Sequence, residues 1–312
     1  KKNFVNLSNS YHGETLGALA LGDVALYKDT YQPLLMEVLT APSPDAYNKE
    51  PGETDEDYAL RQFEAMDKLL AEKHDEICAV VVEPLIQCAG GMRMHHPIYH
   101  TKLREACDRY GVHLIADEIA VGFGRTGTLF ACEQSGITPD FMCLSKGLTA
   151  GYLPLSVVLT TDNVYNAFYD DYETMRAFLH SHSYTGNPIG CAVALATLDI
   201  FRDENVIENN RQLSRCMAES VAHLADHPNV GDIRQHGMTM AIEMVKDKAS
   251  KTPFPWQERR GIRVYKHSLT RQALLRPLGN VLYFMPPYVI TEEQIRHLAQ
   301  VATEGIEIAV KD

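Results

Sequence analysis

Val112-His113-Leu114-Ile115-Ala116 is a mostly apolar run of strand length that ends directly in Asp117-Glu118. A similar run, Ile77-Cys78-Ala79-Val80-Val81-Val82, comes earlier and ends in Glu83-Pro84. Between the two runs, apolar residues spaced three and four positions apart after Pro97 predict a helix. Apolar strands that alternate with helices are typical of a sheet covered on both faces, so the sequence predicts an α/β fold.

The same patterns predict the elements that flank this unit. Apolar positions from Leu60 to Leu70 predict a helix that begins near Asp57, and strands are predicted at 141–145 and 155–160. A long helix is predicted at 187–201. After about residue 205 the sequence predicts helices at 206–224, 257–272 and from 292, alternating and more exposed strands within 230–245, and a strand at 281–285. We therefore predict a large domain at 1–205 and a small C-terminal α+β domain at 206–312.

Composition and charge bound the function. The 312 residues are 45% apolar and 22% charged, as in ordinary globular proteins, and the net charge of −12 argues against a nucleic-acid partner. Seven cysteines without a C-x-x-C pair favour free thiols in a reducing cytoplasm. No signal-peptide pattern and no apolar stretch long enough for a bilayer are visible, so we predict a cytoplasmic protein without a membrane partner.

Two side chains at predicted strand ends suggest chemistry. Asp117 and Lys146 both follow such strands, and ligands of α/β sheets bind at the carboxyl ends. A carboxylate can keep a cofactor ring nitrogen protonated, and a lysine can form an imine and move a proton. We expect burial in a pocket to disfavour the charge on Lys146. Neither residue is specific alone, because most strand-end aspartates cap a turn and a lysine before glycine often ends an element.

The surroundings of these residues are long and specific. Read together, they resemble the class III, fold-type-I aminotransferases, and they follow the family's order from Tyr11 to the end of the chain. The segments that carry the resemblance are Tyr11-His12-Gly13, Glu83-Pro84-Leu85-Ile86-Gln87 with Gly90-Gly91, Asp117-Glu118-Ile119, Gly122-Phe123-Gly124-Arg125-Thr126-Gly127, Ser145 to Ser156, and Ser183-Tyr184-Thr185-Gly186-Asn187-Pro188.

The resemblance implies an aspartate-aminotransferase-like fold, a large mixed, mostly parallel sheet covered by helices, and pyridoxal 5'-phosphate (PLP) as the cofactor. Lys146 would carry PLP as a Schiff base, and Asp117 would hold its ring nitrogen. Tyr11 would stack on one ring face and border the substrate, unless it is ordinary core. Ile119, which strand alternation puts on the side of Asp117, would pack under the other face. Ser183 stands where the family usually has Thr and would bind the phosphate across a homodimer interface, so the active site would be shared.

One subfamily fits better than the others, namely the enzymes that convert 8-amino-7-oxononanoate to 7,8-diaminononanoate in biotin synthesis. The similar segments are Gly90–Pro97, Ala116–Ala120, Arg276–Gly279 and Tyr283–Tyr288. The usual amino donor there is S-adenosylmethionine, and lysine in some members. Arg276 would hold the substrate carboxylate through two parallel hydrogen bonds, or else be a solvated arginine. Tyr283 would line the substrate pocket, or else belong to the core.

Other readings remain open. The chain opens Lys1-Lys2-Asn3 without Met and at once reads like a strand, so we expect a start inside a domain, without the family's phosphate-cupping segment. Another class III enzyme using an ω-amine or lysine, or a mutase, is the runner-up, and an inactive fragment or the effector domain of a regulator are further alternatives. We expect no metal at His95, His96 and His100, which lack a ligand spacing. Glu83 can orient other polar groups.

Overall fold

A six-stranded sheet forms the first part of the chain in the computed structural model, which describes residues 1–311. Its strands lie in the order β2-β1-β3-β6-β7-β8, and β4 and β5 form a separate two-stranded ribbon. All neighbours in the six-stranded sheet are parallel except β8, which is antiparallel to β7. The strands are β1 (Asn3–Leu7), β2 (Leu39–Ala41), β3 (Ile77–Val82), β4 (Ile86–Gln87), β5 (Arg93–Met94), β6 (His113–Asp117), β7 (Phe141–Leu144) and β8 (Val157–Thr160).

Helices with clear start and stop signals cover this sheet. The Thr54 hydroxyl caps the longest of them by accepting a hydrogen bond from the Asp57 N–H at 3.1 Å. The next long helix begins at Pro97 and ends at Gly111, which has a φ of 60°. The helices are α1 (Leu16–Leu21), α2 (Ala25–Lys28), α3 (Asp55–Lys73), α4 (Pro97–Tyr110), α5 (Asp162–Asn166) and α6 (Pro188–Asp203).

The apolar faces of α3 and α4 meet the central strands in one core. Met66 and Leu70 from α3 and Leu103 from α4 are fully buried there against Val80 and Leu114. Burying each such side chain is worth about 1.5–3 kcal/mol. This packing holds β1, β3 and β6 in a fixed register, so the residues that follow these strands are fixed as well.

The remaining residues build a second, antiparallel sheet. Its order is β11-β10-β13-β12, with β9 paired to β10. Its core cluster is drawn from residues 213–310 alone, which supports the division near residue 205 that we propose. The elements are α7 (Val206–Val221), β9 (Val230–His236), β10 (Thr239–Asp247), β11 (Thr252–Pro253), α8 (Arg260–Thr270), β12 (Pro277–Leu278), β13 (Val281–Phe284) and α9 (Glu292–Ala309).

The α/β class and the mostly parallel, helix-covered sheet that we predicted are confirmed. The expectation of more exposed strands within 230–245 is wrong for β10, which is buried from Thr239 to Val245. Met240 and Ile242 face the core of the second sheet, whereas Ala241 packs against the first part of the chain. Both faces of β10 are therefore covered. Among residues 1–311 no helix is long and apolar enough to cross a membrane, and the seven cysteines are free thiols.

Candidate active site

Four parallel strands deliver the candidate residues to one edge of the large sheet. Asp117 is the last residue of β6, Glu83 follows β3, Lys146 lies two residues beyond β7, and Tyr11 lies four beyond β1. Carboxyl ends of parallel strands meet at the same edge, so these side chains converge. The buried Cys88 thiol has the charges of Glu83, Lys146 and Asp117 around it, and its burial raises its pKa well above the usual range.

Asp117 is held by a partner that the sequence reasoning missed. Its carboxylate is 8% exposed, and Oδ2 lies 2.8 Å from Nδ1 of His12. Oδ1 accepts a hydrogen bond from the Ile119 N–H at 3.1 Å. The imidazole fixes the orientation of the carboxylate, because Nδ1–H donates a hydrogen bond to Oδ2. His12 belongs to the Tyr11-His12-Gly13 segment, but nothing local links it to a residue 105 positions away.

This arrangement fits PLP. A pyridine nitrogen that must stay protonated needs an oriented, anionic acceptor in a site of low water content, and Asp117 is buried, ionisable and held by His12. His12 Nε2 is also buried and has no hydrogen-bond partner within residues 1–311. A buried acceptor for the ring nitrogen is therefore present at this edge, with a lysine two residues beyond the adjacent strand.

Lys146 sits in a strained turn that its neighbours hold in place. Its φ is +39°, in the left-handed region that lysine rarely adopts. Ser145 Oγ donates to the Leu155 carbonyl at 2.7 Å, and a Cβ on Gly147 would lie 2.8 Å from Cβ of Phe123. The next residue must therefore be glycine, and the backbone at Lys146 has little freedom.

The expected desolvation of Lys146 is wrong for the described chain, because its side chain is exposed. Tyr152 and Tyr184, aromatic residues of the adjoining segments, are also exposed and cover nothing. A cover for Lys146 would have to come from outside residues 1–311, for example from a second copy of the chain.

Tyr11 is half-buried at the same edge. Its N–H donates to Oε1 of Glu83 at 2.9 Å, its hydroxyl donates to Oε1 of Glu14 at 3.1 Å, and its ring centre lies 5.1 Å from that of Tyr27. Burial, helped by the Glu14 carboxylate, raises the pKa of the Tyr11 hydroxyl. The aromatic plane is thus fixed at its backbone and at its hydroxyl.

The strand-alternation argument for Ile119 is wrong. The strand β6 ends at Asp117, and Ile119 lies in the turn that follows. The turn arises because the Asp117 carboxylate accepts the Ile119 N–H and so ends the extended conformation. Ile119 is half-buried beside Asp117, and its contact with the cofactor ring stays a prediction.

The predicted substrate and phosphate residues are less buried than Asp117. Ser183 is exposed in the turn before α6. Arg276 is exposed just before β12. Tyr283 on β13 is half-buried and packs with Ala120 against the cluster that contains Cys88, so it borders the site.

An ion network that the sequence reasoning also missed fastens the second sheet to the site. Arg234 on β9 donates to the carbonyls of Gly91 and Met92 at 2.7 Å each, and binds Glu243 at 2.8 Å. A Cβ on Gly90 would lie 2.2 Å from the Asn9 carbonyl oxygen, so only glycine allows this turn to stack on the segment that leads to Tyr11. The glycine pair is therefore structural.

His95 and His100 are core residues, whereas His96 is half-buried and caps α4. His95 lies 3.3 Å from Oε1 of Gln87, and His100 accepts the Leu85 N–H at 3.1 Å. No group of three His, Cys, Asp or Glu residues within residues 1–311 is arranged to hold a metal ion, and the absence of metal stays a prediction. Burial, and secondarily the nearby His236, lowers the pKa of His100 to about 4. Burial likewise lowers the pKa of His95.

These histidines predict acid lability. As the pH falls below about 6.5, His100 becomes protonated in the unfolded chain. In the folded chain it stays neutral until about pH 4. The free energy of unfolding should therefore fall across that window by on the order of 3 kcal/mol from His100. Urea unfolding from pH 4 to 8 measures this loss. The free energy of unfolding should fall less with acid in His100→Gln than in wild type, and as much as in wild type in His113→Gln. Equal slopes for all three proteins would contradict the assignment. Glu83 has the opposite effect on the free energy of unfolding, because its raised pKa makes the folded chain take up that proton first as the pH falls. Since all three proteins contain Glu83, it does not affect the comparison.

Comparison with known proteins gives the family of the chain. The model of the family described as aminotransferase class-III matches residues 1–305, and the chain belongs to that family. Its sequence is 48% identical over 95% of the chain to the adenosylmethionine-8-amino-7-oxononanoate aminotransferase of Helicobacter pylori, and 42% identical over 99% to that of Geobacter sulfurreducens. The chain spans 65% and 68% of the length of these two curated relatives.

Solved structures with two different named activities resemble the chain. A crystal structure of the adenosylmethionine-8-amino-7-oxononanoate aminotransferase from Methanocaldococcus jannaschii has a TM-score of 0.90 at 36% identity, covering 98% of this chain and 68% of that one. A structure of the ω-transaminase from Pseudomonas jessenii in complex with PMP has a TM-score of 0.93 at 30% identity, covering 99% and 68%. Backbone shape therefore does not separate the two activities.

Proposed function

We propose that this chain is part of a PLP-dependent aminotransferase that converts 8-amino-7-oxononanoate to 7,8-diaminononanoate with S-adenosylmethionine as the amino donor. The observation that carries the class is the buried Asp117 carboxylate, held by His12 at the sheet edge where Lys146 emerges. The substrate follows from the names of the relatives, because sequence identity reaches 48% with this enzyme and 30% with the ω-transaminase.

The residues divide the chemistry between them. When bound, PLP supplies an electron sink for the carbon that loses its proton. Asp117 keeps the ring nitrogen protonated, and His12 holds that carboxylate in place. Lys146 Nζ would hold the cofactor covalently and, once the amine of the donor has displaced it, would move a proton between the substrate carbon and the cofactor. Tyr11 and Ile119 flank the ring, and Tyr11 also borders the substrate.

The second sheet provides the substrate side of the pocket. Tyr283 and Ala120 pack against the same buried cluster, and the Ala120 methyl group leaves room where many class III relatives carry Gln. Arg276, exposed near the same strand pair, is free to receive a carboxylate. A guanidinium fork matches that group through two charge-assisted hydrogen bonds.

Replacing Arg276 should weaken binding of the keto acid. Loss of charge-assisted hydrogen bonds worth about 1.5–3 kcal/mol should raise the KM for 8-amino-7-oxononanoate by about 10- to 100-fold in Arg276→Ala, with a smaller change in kcat. Arg271→Ala is the matched control, since Arg271 lies on the surface nearby and pairs with Glu304 at 3.3 Å. Steady-state kinetics with varied keto acid would reveal the difference. An unchanged KM in Arg276→Ala would make Arg276 a solvated arginine.

A homodimer with a shared active site is part of the proposal. The segment from β8 to α6 exposes a large number of apolar side chains, a surface that soluble monomers rarely present. They include Val158, Tyr165, Tyr169, Tyr172, Met175, Phe178, Leu179, Tyr184, Ile189 and Leu195. Ser183 lies within this segment, so a second copy that covered it would receive the Ser183 hydroxyl, which would bind the PLP phosphate across the interface. The free thiols favour the cytoplasm as the location.

A donor screen tests the function. The purified chain, whose oligomeric state is first measured by light scattering, is mixed with PLP, 8-amino-7-oxononanoate and one donor at a time, and 7,8-diaminononanoate is followed by mass spectrometry. We expect product with S-adenosylmethionine. If only lysine gives product, lysine is the amino donor. Turnover of ω-amines without formation of 7,8-diaminononanoate would favour an ω-transaminase instead. A monomer that binds no PLP would point to the inactive fragment.

A further inference from the structure

Glu83 joins the two segments that border the cofactor edge. Its side chain is 4% exposed at the carboxyl end of β3. Oε1 accepts the Tyr11 N–H at 2.9 Å, and Oε2 accepts the Cys88 N–H at 3.0 Å. One buried carboxylate thus satisfies two backbone donors from segments 77 positions apart, the first leading into Tyr11 and His12, the second into the Gly90-Gly91 turn.

Four titratable side chains surround this carboxylate. The imidazole of His12 attracts its charge, the carboxylate of Asp117 repels it, and the Tyr11 phenol and Cys88 thiol lie beside it. The positive charges of Lys146 and Arg125 also act on the same thiol. Burial outweighs the other influences and raises the pKa of Glu83 to about 7.

Protonation of Glu83 would change what it can hold. An ionised carboxylate accepts with both oxygens, whereas a protonated one has an O–H that donates. When the pH falls below about 7, the proton goes to one Glu83 oxygen, and the hydrogen bond on that oxygen weakens. The Tyr11 segment or the Cys88 turn is then held less firmly, and His12 follows Tyr11 directly in the chain.

We propose that Glu83 is a positioning residue that holds Tyr11 and His12 in place against Asp117. The link to the cofactor rests on the proposed function, since Asp117 and Tyr11 are the groups that would touch PLP. Glu83 itself acts through them. The backbone of Tyr11 is fixed at its N–H by Glu83, which sets the ring of Tyr11 and brings Nδ1 of the next residue to 2.8 Å from Asp117.

Glu118 is a matched control. It is another fully buried carboxylate, and it also accepts two backbone N–H groups, from Ala131 at 3.0 Å and Cys132 at 2.8 Å. Burial raises the pKa of Glu118 too. Its partners belong to the loop after Phe130 and lie outside the Tyr11 segment. Glu118→Gln therefore removes a comparable buried charge without touching that segment.

The first test uses the cofactor-free chain. In a pH series of ¹H–¹⁵N spectra, the amide protons of Tyr11 and Cys88 should shift together with one midpoint near pH 7. The chemical shifts of both amides should be independent of pH in Glu83→Gln, whereas Glu118→Gln should keep the wild-type pH dependence. Amides that titrate separately, do not titrate, or still titrate in Glu83→Gln would overturn the proposal.

The second test uses PLP binding. Glu83→Gln should weaken PLP affinity by about 10- to 100-fold, the range seen when outer-shell partners of metal ligands are removed, while Glu118→Gln should bind like wild type. Equal losses in the two variants would make Glu83 merely structural and overturn the proposal. Failure of the wild-type chain to bind PLP would count against the proposed function, and the amide titration would still decide the role of Glu83.

Discussion

Lys146→Ala should no longer bind PLP covalently and should lose about 10²–10⁴-fold in transamination, the size of a missing catalytic base. The side chain is exposed, so its truncation should change the free energy of unfolding by no more than about 0.5 kcal/mol. Borohydride reduction of the PLP-loaded chain, followed by peptide mass spectrometry, should place the cofactor on the peptide that contains Lys146. The alanine variant should carry none.

Lys68→Ala is the control for this experiment. Lys68 is exposed on α3 and only 4.0 Å from Glu72, a surface pair of little energetic weight. Its replacement should leave the adduct and the turnover unchanged. An adduct on another lysine, with Lys146→Ala as active as wild type, would refute the assignment.

Asp117→Asn should lower transamination by about 10²–10³-fold, as removal of one preorganised electrostatic partner does in other active sites. The amide oxygen can still accept the hydrogen bond from His12 Nδ1, whereas the amide nitrogen cannot accept the Ile119 N–H, and the charge that keeps the ring nitrogen protonated is lost. Covalent binding to Lys146 should survive. Stopped-flow measurement of the donor half-reaction separates these effects, because the loss should lie in that step.

Glu118→Gln again serves as the comparison, because Glu118 adjoins Asp117 in sequence but faces Ala131 and Cys132. It should lose stability without a comparable loss in the donor half-reaction. Asp117→Asn turning over at the wild-type rate would mean that this carboxylate does not hold the ring nitrogen.

Most of the fold could be predicted from local sequence patterns. The predicted strand at 77–82 has the observed bounds, and the one at 112–116 is shifted by one residue, because apolar runs buried on both faces leave little ambiguity. The helix after Pro97 begins at that proline and ends before Gly111, as its signals indicated. The second sheet was harder to predict, since β10 packs on both faces and so lacks the expected exposure.

The site depended on contacts that no local pattern encodes. Asp117 and Lys146 could be placed at strand ends from the sequence, but the His12–Asp117 pair joins residues 105 apart, and Glu83 joins two loops through their backbones. The exposure of Lys146 was likewise unpredictable, because burial depends on what covers a residue rather than on its neighbours in sequence. The roles of Ser183 and Arg276, which one copy of the chain leaves exposed, stay predictions.

The most direct test of the central claim is the visible absorption of the purified chain with PLP, before and after S-adenosylmethionine is added. After unbound PLP is removed, we expect a yellow band that is absent in Lys146→Ala and that disappears when S-adenosylmethionine transfers its amino group. A chain that gives no such band with PLP, or a band that persists in Lys146→Ala, would contradict the account.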